Sequence, residues 1–410
     1  MSTSAFTLVV PTRDDPARCA AILQHVADEL RRGKVRLPID VLFLVNDTRP
    51  DASAHMNELV RSSAGERARA RVVFSDKDHL TVEENIRHNL LAALETVGER
   101  FLIIGNSDRV DLAALERAVQ YMTSQQADLL LIGVLNRELW EGKPVRELYA
   151  TPRHVDPKNE LPAVPVTGAD VFRRAMTDFG PFDYLAYIGC QIYTQAFFRD
   201  LCAIELAEPL YALPVATLEA TSRKEYRVGF FPDVVMVRTD HLQAGPSSPE
   251  QPAHWWVIES RTKRGLSRNV FMSVITNSLG LRQTAFDVLV NAQMVSMKRG
   301  SASYIYWNFL ASLVRQTLGA LAAVDKDPTF QFTQPEIADF VRFAKRLQRT
   351  DLGLPAQAHS ALCSWLQRFD VLVDGHSPKD VATWKSLAPQ ALAILNARPK
   401  MGMWLVDRFG

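Results

Sequence analysis

The first 135 residues alternate short apolar runs with segments of helical periodicity. The apolar runs predict buried strands at positions 6–10, 39–45, 72–74, 101–104 and 127–134. Between them, apolar residues recur every three or four positions and predict helices at 16–33, 82–96 and 112–122. Strands that are apolar throughout and separated by helices are typical of a parallel sheet covered on both faces. We therefore predict an α/β fold with a mostly parallel, Rossmann-like sheet and helices on both faces.

The pattern changes after this region. From about 140 to 252 the chain is less regular and contains many proline and aromatic residues, with an edge strand predicted at 234–237. The segment GPSSPEQP at 245–252 has the composition of a linker, and the sequence beyond it is mainly helical in character. A chain of 410 residues also exceeds the usual size of a single hydrophobic core. We expect an α/β domain over 1–250 and a helical C-terminal domain over 251–410.

Composition excludes several classes of protein. The net charge of +1 shows no overall basicity of the kind that favours nucleic-acid binding. The four cysteines are scattered and form no C-x-x-C pair, which argues against a disulfide framework or a zinc site. The N-terminus has no signal-peptide pattern, and no window of about 18 apolar residues lacks charges. We expect a cytoplasmic protein, with peripheral contact to the inner face of a membrane left open.

The absence of common motifs narrows the chemistry further. The sequence contains no G-x-G-x-x-G or G-x-x-x-x-G-K-[ST] loop, and no H-E-x-x-H or G-x-S-x-G motif. Acids and amides at the ends of predicted strands remain, in the segments 11–15, 46–51, 75–85 and 105–109. Ligands of parallel α/β sheets bind beyond the carboxyl ends of the strands, so these segments are the candidate site.

Four sequence segments resemble the motifs of family 2-type glycosyltransferases of the GT-A fold. They are FTLVVPTRDDPARCAAIL, LFLVNDTRPDAS, ENIRHNLLAAL and RFLIIGNSDRVDLAALERAV. The resemblance covers about residues 5–135 and keeps the order and spacing of the motifs. It implies a GT-A-like sheet, a nucleotide-sugar donor and a divalent metal, Mg²⁺ or Mn²⁺.

The resemblance also implies a role for each matched residue. Residues of the first two motifs would contact the nucleotide: Pro11, Thr12 and Arg13 at the base, and Asn46 and Asp47 at the base or ribose. Residues of the last two motifs would fix the nucleotide sugar and hold the metal: Asn85 for the sugar, and Asn106, Ser107 and Asp108 for the metal motif.

Two positions depart from the family pattern. Asn46 and Asn106 stand where the family usually has aspartate, and an amide is a poorer ligand for Mg²⁺ or Mn²⁺ than a carboxylate. Asp108 would then need a further metal ligand, and His241 and His254 are the candidates. The alternative for Asp108 is a cap of the helix predicted at 112–122.

The catalytic base is less well defined by the sequence. Inverting transfer needs a carboxylate or a histidine to take the proton of the acceptor hydroxyl. The segment 179–198 lies where the family places its acceptor loop and base, and Asp183 is the nearest acid, with Asp170 and Asp178 as rivals. A solvated loop acid is the alternative for each of them.

Two features of the C-terminal region allow several interpretations. Between residues 255 and 349 there are 13 Lys and Arg against 6 Asp and Glu. Such an excess of positive charge is typical of a solvated helical face, or of a surface that contacts pyrophosphate or an acidic membrane. The aromatic run at 304–310 suits a helical core, a homo-oligomer interface or an amphipathic surface next to a lipid-linked acceptor.

The sequence therefore predicts a glycosyltransferase that moves a sugar from a nucleotide-sugar donor to a saccharide or lipid-linked acceptor hydroxyl. Inversion and a place in bacterial surface polysaccharide or glycolipid assembly are implied by the resemblance. A sugar nucleotidyltransferase is one alternative, although PTRDDPARC lacks the glycine-rich, basic loop that such an enzyme needs after its first strand. A non-catalytic binding protein of the same fold is the other.

Overall fold

The computed structural model describes the following residues: 5–12, 15–46, 50–62, 68–77, 80–140, 143–150, 166–167, 188–207, 212–242, 276–287, 289, 339, 342–343 and 346. The chain divides into two compact units. The first comprises Met1–Val171, Phe182–Glu205 and Glu219–Ser248, and the second comprises Phe172–Pro181, Leu206–Leu218 and Pro249–Gly410. The first unit ends within the predicted linker at 245–252, which itself lies outside the described residues.

Four parallel strands form the N-terminal half of the sheet. They are β1 (Phe6–Thr12), β2 (Ile39–Val45), β3 (Ala68–Phe74) and β4 (Arg100–Ile103), in the spatial order β3-β2-β1-β4. All residues of β1 are buried, as are all but one of β2, so these two strands form the centre of this half of the core. The predicted parallel arrangement is confirmed here.

Helices connect these strands. α1 (Pro16–Arg31) begins where Asp15 accepts a hydrogen bond from Arg18 N and buries one apolar face. α2 (Pro50–Ser62) follows β2, and α3 (Val82–Asn85) follows β3 and continues as a π turn at Ile86–Leu90. Because β-α-β crossovers are right-handed and β4 returns to the other side of β1, α3 lies on the face opposite α1 and α2.

The remaining strands complete a mixed sheet, and the structure describes three further helices between them in the chain. They are β5 (Arg109–Val110), α4 (Leu112–Ser124), β6 (Leu129–Trp140), β7 (Lys143–Ala150), β8 (Val166–Thr167), β9 (Gln191–Thr194), α5 (Gln195–Cys202), α6 (Ala212–Arg223) and β10 (Arg227–Leu242). The full order is β3-β2-β1-β4-β9-β6-β10-β5, with β7 beside β6 and β8 beside β10. β9 runs antiparallel to both β4 and β6, so the second half of the sheet departs from the parallel arrangement of the first.

The sequence predicted an edge strand at 234–237. In the structure these residues instead belong to the long interior strand β10. β10 pairs in parallel with β6 on one side and antiparallel with β5 and β8 on the other. Pro232 interrupts its apolar pattern, and the register with β6 shifts between Phe231 and Val234. Because proline cannot donate to the ladder, the strand bulges here and then continues.

β9 lies within the segment 179–198, which the resemblance assigned to an acceptor loop. Its residues Gln191–Tyr193 are buried between β4 and β6. The ring of Tyr193 stacks on Phe101 at 5.6 Å between centroids and meets Phe198 edge-on at 5.6 Å. The C-terminal part of that segment is therefore core.

The second unit is helical at 276–279 and 283–287. Arg346 lies 4.0 Å above the ring of Phe286 and donates hydrogen bonds to the carbonyls of Ser278, Leu279 and Leu281. The aromatic run predicted at 304–310 lies outside the described residues. Among the helices that the structure describes, none combines the length and apolar character that a membrane crossing requires.

A close contact beside the end of β4 gives a test of this packing. A Cβ placed on Gly189 would lie 1.9 Å from Sδ of Met236, whose side chain is 1% exposed. We expect Gly189→Ala to lower the free energy of unfolding by about 1–3 kcal/mol through overpacking. Met236→Ala should cost about 2–5 kcal/mol through the cavity that it leaves.

The double variant should lose less stability than the sum of the single changes, because the added methyl occupies part of the vacated space. Urea unfolding of the full-length chain measures all three values. Strictly additive losses would show that Gly189 and Met236 do not share this space.

Candidate functional site

The candidate site lies where the order of strands reverses. From β1 the chain passes through β2 to β3 on one side, whereas β4 lies on the other side of β1. The register pairs Thr12 with Val45 and Val9 with Ile103, so the turn that follows β4 reaches the level of Thr12 and Asn46. In open α/β sheets the crevice beyond the strand ends at such a reversal is the usual place for a ligand.

The end of β1 forms the central part of this edge. Pro11 and Thr12 are buried, and Thr12 O accepts a hydrogen bond from Asn46 N at 2.9 Å. The thiol of Cys19 donates to the Thr12 hydroxyl over 3.8 Å. Burial raises the pKa of Cys19 to about 12, so the thiol stays protonated near neutral pH and is not a nucleophile.

Asn46 directly follows β2 and presents an acceptor at this edge. Its side chain is 7% exposed, and Nδ2 donates to Leu80 O at 2.5 Å. A carbonyl can only accept, so this contact fixes the orientation of the amide. Oδ1 is buried and meets no hydrogen-bond donor among the described residues. A buried acceptor without a donor costs about 1–3 kcal/mol, which a ligand or a water molecule would recover.

The segment after β3 holds the last residues of β2 in place. Ser75 N donates to Val45 O at 2.9 Å, and Asn85 Nδ2 donates to Leu44 O at 3.1 Å. Asn85 is 2% exposed, and its Oδ1 accepts from Asn89 Nδ2 at 2.6 Å. The amide of Asn85 is therefore used inside the protein, and its predicted contact with a nucleotide sugar stays a prediction.

Asp108 closes the turn that follows β4. The residue is 6% exposed, and its Oδ2 accepts a hydrogen bond from Gly105 N at 2.7 Å. A Cβ on Gly105 would lie 2.9 Å from the same oxygen, so any larger residue here would displace the carboxylate. Asn106 and Ser107 form the half-buried tip of the turn. A ligand above this turn would meet these two residues first.

The alternative that Asp108 caps the following helix is wrong. Asp111 is the N-cap of α4, because its Oδ1 accepts from Ala114 N at 2.9 Å. The strand β5 separates Asp108 from this cap. The two acids therefore have different tasks, one in the turn and one at the helix start.

The described residues do not by themselves fit a metal site. They contain no group of three or more His, Cys, Asp or Glu side chains that could hold an ion. One carboxylate oxygen of Asp108 already accepts a hydrogen bond from Gly105 N. Mg²⁺ is often held by one or two carboxylates together with substrate phosphates. A metal here would depend on such phosphates or on ligands beyond the described residues, so the metal remains a prediction.

Several predicted site residues cannot be placed. Six lie outside the described residues: Arg13, Asp47, Asp170, Asp178, Asp183 and His254. The backbone of His241 belongs to β10, but its side chain is not described. The sequence did not point to Leu80, which contributes a backbone carbonyl, or to Asn89. For Asn89 the available signal was its spacing of four residues from Asn85, which places the two side chains next to each other on a helix.

Comparison with known proteins supports the fold. No family model matches the sequence, and no curated protein matches it. Among solved structures, S. aureus TarS 1-349 matches with 12% identity and a TM-score of 0.50, over 95% of this chain and 91% of that chain.

Two further solved structures match with lower scores. The same TarS fragment in complex with UDP-GlcNAc matches with 13% identity over 95% of this chain and 92% of that one, with a TM-score of 0.47. The mannosyltransferase PcManGT from Pyrobaculum calidifontis, in complex with GDP-Man and Mn²⁺, matches with 12% identity over 97% and 87%, with a TM-score of 0.43. Both scores lie below 0.5, so the fold comparison rests on the first structure. The predicted fold class, a GT-A-like α/β sheet with helices, is confirmed.

The fixed amide of Asn46 leads to a prediction about charge at this position. In Asn46→Asp, an ionised carboxylate oxygen would face Leu80 O in a nearly buried place. We expect a loss of about 1–3 kcal/mol in the free energy of unfolding at pH 7. Protonation restores a donor to Leu80, so the pKa of the introduced carboxyl should rise above its unfolded value of about 4.

The sign of the pH dependence follows. The folded variant binds the proton more tightly than the unfolded chain, so its stability relative to wild type is greatest below about pH 4 and falls as pH rises through the raised pKa. Urea unfolding between pH 3.5 and 8 measures this difference. Asn57→Asp, at an exposed position of α2, is the matched control and should change little. A pH-independent difference for Asn46→Asp would contradict the assigned amide orientation.

Proposed function

We propose that this protein is a glycosyltransferase that moves a sugar from a nucleotide-sugar donor to an acceptor hydroxyl. The observation that carries the proposal is the polar edge at the reversal between β1 and β4, where Thr12, Asn46 and the turn at 105–108 reach the same level of the sheet. It occurs on a fold similar to that of TarS, a protein that has also been solved with UDP-GlcNAc. The four motif-like segments in the sequence support the same assignment.

The donor would lie across the two walls of the crevice. On the β2 side, Oδ1 of Asn46 accepts an N–H or O–H from the base or ribose, next to Pro11 and Thr12. On the β4 side, the tip residues Asn106 and Ser107 face the diphosphate end. Asp108 keeps this tip in position through its bond to Gly105. A divalent metal, if bound with the diphosphate, would supply further charge neutralisation.

The reaction is a displacement at the anomeric carbon. The acceptor oxygen forms a bond to this carbon while the bond to the diphosphate oxygen breaks, and the diphosphate leaves with the bonding electrons. A base takes the proton of the acceptor hydroxyl, and Asp183 is our candidate for it. A single displacement of this kind inverts the anomeric centre. Arg109, whose Nη1 donates to Asp108 O at 2.9 Å, places a positive charge beside the turn to stabilise the leaving group.

The acceptor class follows from the sequence resemblance. We propose a saccharide or lipid-linked acceptor in bacterial surface polysaccharide or glycolipid assembly, used at the inner face of the membrane. The C-terminal helices would then contact the membrane surface or a second copy of the chain.

A non-catalytic nucleotide-binding protein is the second candidate. Asn46 and Asn106 supply amides where the resembled family has carboxylates. One carboxylate oxygen of Asp108 already accepts a hydrogen bond from a backbone N–H. Such a protein would bind the nucleotide but would not turn over the sugar donor.

The first test is a thermal-shift screen with UDP, GDP, ADP, CDP and their sugar conjugates, with and without Mn²⁺. A ligand at 100 times its Kd stabilises the folded chain by about 2.7 kcal/mol, so the correct nucleotide should raise Tm measurably. Hydrolysis or transfer of the stabilising nucleotide sugar then distinguishes the enzyme from the binding protein. If no nucleotide raises Tm under either condition, both candidates fail.

The second test separates the charge of Asp108 from its structural role. Asp108→Asn keeps an acceptor for Gly105 N but removes the negative charge. We expect a loss of about 100-fold or more in kcat/KM if the carboxylate helps to hold a divalent metal at the diphosphate, because an amide is a poorer ligand for such an ion. Circular dichroism and Tm should stay close to wild type.

Asp111→Asn is the matched control, because the same chemical change leaves the helix cap intact. It should alter kcat/KM by no more than about twofold, since an asparagine caps a helix as well as an aspartate. Equal activity of the two variants would remove the charge of Asp108 from the reaction.

A further inference from the structure

α1 contacts both walls of the crevice. Near its start, the thiol of Cys19 donates to the hydroxyl of Thr12 at the end of β1. Two turns further along the same helix, Nε2 of His25 lies 2.8 Å from Val110 O in β5. We call these two contacts the α1 bracket. Because α1 is a single helix, it links the position of β5 to that of β1.

β5 determines where the turn at 105–108 ends. The turn is anchored upstream by Ile104 N, which donates to Val9 O at 2.9 Å, and downstream by β5, which follows Asp108 directly. β5 has only two residues and pairs on one side with β10. On its other side, Val110 O meets the side chain of His25. A strand this short depends strongly on each of its contacts.

The chemistry of the contact fixes the role of His25. A carbonyl oxygen only accepts hydrogen bonds, so Nε2 of His25 must carry the proton. Both the neutral tautomer with a proton on Nε2 and the imidazolium satisfy this condition. In either form the contact acts as a brace between α1 and β5.

We propose that His25 is a positioning residue for the candidate site. Through Val110 it holds β5, and with it the turn formed by Gly105, Asn106, Ser107 and Asp108, at a fixed distance from the end of β1. The ligand-binding consequence rests on the proposed function, whereas the effect on the turn does not. Loss of the contact should release the turn while the strands β1, β2 and β3 stay packed.

A matched pair of substitutions tests the brace. His25→Gln places an amide donor near the position of Nε2, whereas His25→Asn has a side chain too short to reach Val110 O. Both changes are polar and suit a half-buried helix position, so both variants should fold. His55→Asn, on the exposed face of α2, controls for the loss of a histidine from a neighbouring helix.

Amide hydrogen exchange of the full-length chain is the first measurement. The relevant amides are those of Gly105, Asp108 and Asp111, which donate to Asp108 Oδ2, Gly105 O and Val235 O. We expect His25→Asn to speed their exchange by about tenfold, with exchange in β2 unchanged. His25→Gln and His55→Asn should stay within about threefold of wild type. Equal protection in His25→Asn and His25→Gln, or a uniform increase across the sheet, would overturn the proposal.

Nucleotide binding is the second measurement. If wild type binds UDP or GDP, His25→Asn should raise the Kd by about tenfold and His25→Gln should restore most of the affinity. An unchanged Kd in His25→Asn would refute the link between the brace and the ligand. If wild type binds none of the nucleotides in the thermal-shift screen, the proposed function fails, and the exchange data alone decide whether His25 positions the turn.

Discussion

The position of β1 between two parallel neighbours is the constraint on which the site depends. β1 is buried along its whole length and pairs with β2 on one side and β4 on the other. Its backbone and its side chains are therefore committed to the core, and polar groups can collect only where the strand ends. This places Thr12 and Asn46 on one side of a reversal in strand order and the turn at 105–108 on the other.

The two walls of the crevice bury their polar groups in different ways. Asn46 is a neutral amide with one fixed hydrogen bond and one open acceptor. Asp108 is an acid of similar burial that receives a backbone N–H inside its own turn. Burying a carboxylate costs more than burying an amide unless such donors are supplied. Of these two nearly buried groups, the negatively charged one lies on the β4 side.

Much of the sheet was predictable because buried strands leave uninterrupted apolar runs. The strand predicted at 39–45 has the bounds observed for β2, and the helix predicted at 112–122 begins at the observed Leu112. β9 was missed because its four residues include polar Gln191 and Thr194 at the ends, which conceal a strand paired on both sides. At the site, the residue types at the strand ends were visible in the sequence. The roles of Asp108 and Asp111 were not, since two acids before one helix look alike. Nor was the partner of Asn46, because every residue carries the same backbone carbonyl as Leu80.

The contact of Gly189 with Met236 has a consequence for the evolution of this fold. The two residues belong to distant parts of the sequence, yet the thioether occupies the space that any side chain at 189 would need. Substitutions at the two positions should therefore be coupled among homologues, with a larger residue at 189 accepted only beside a smaller one at 236. In a set of homologous sequences, covariation at these two positions would indicate that the segment before β9 packs against β10, the strand that pairs with β5.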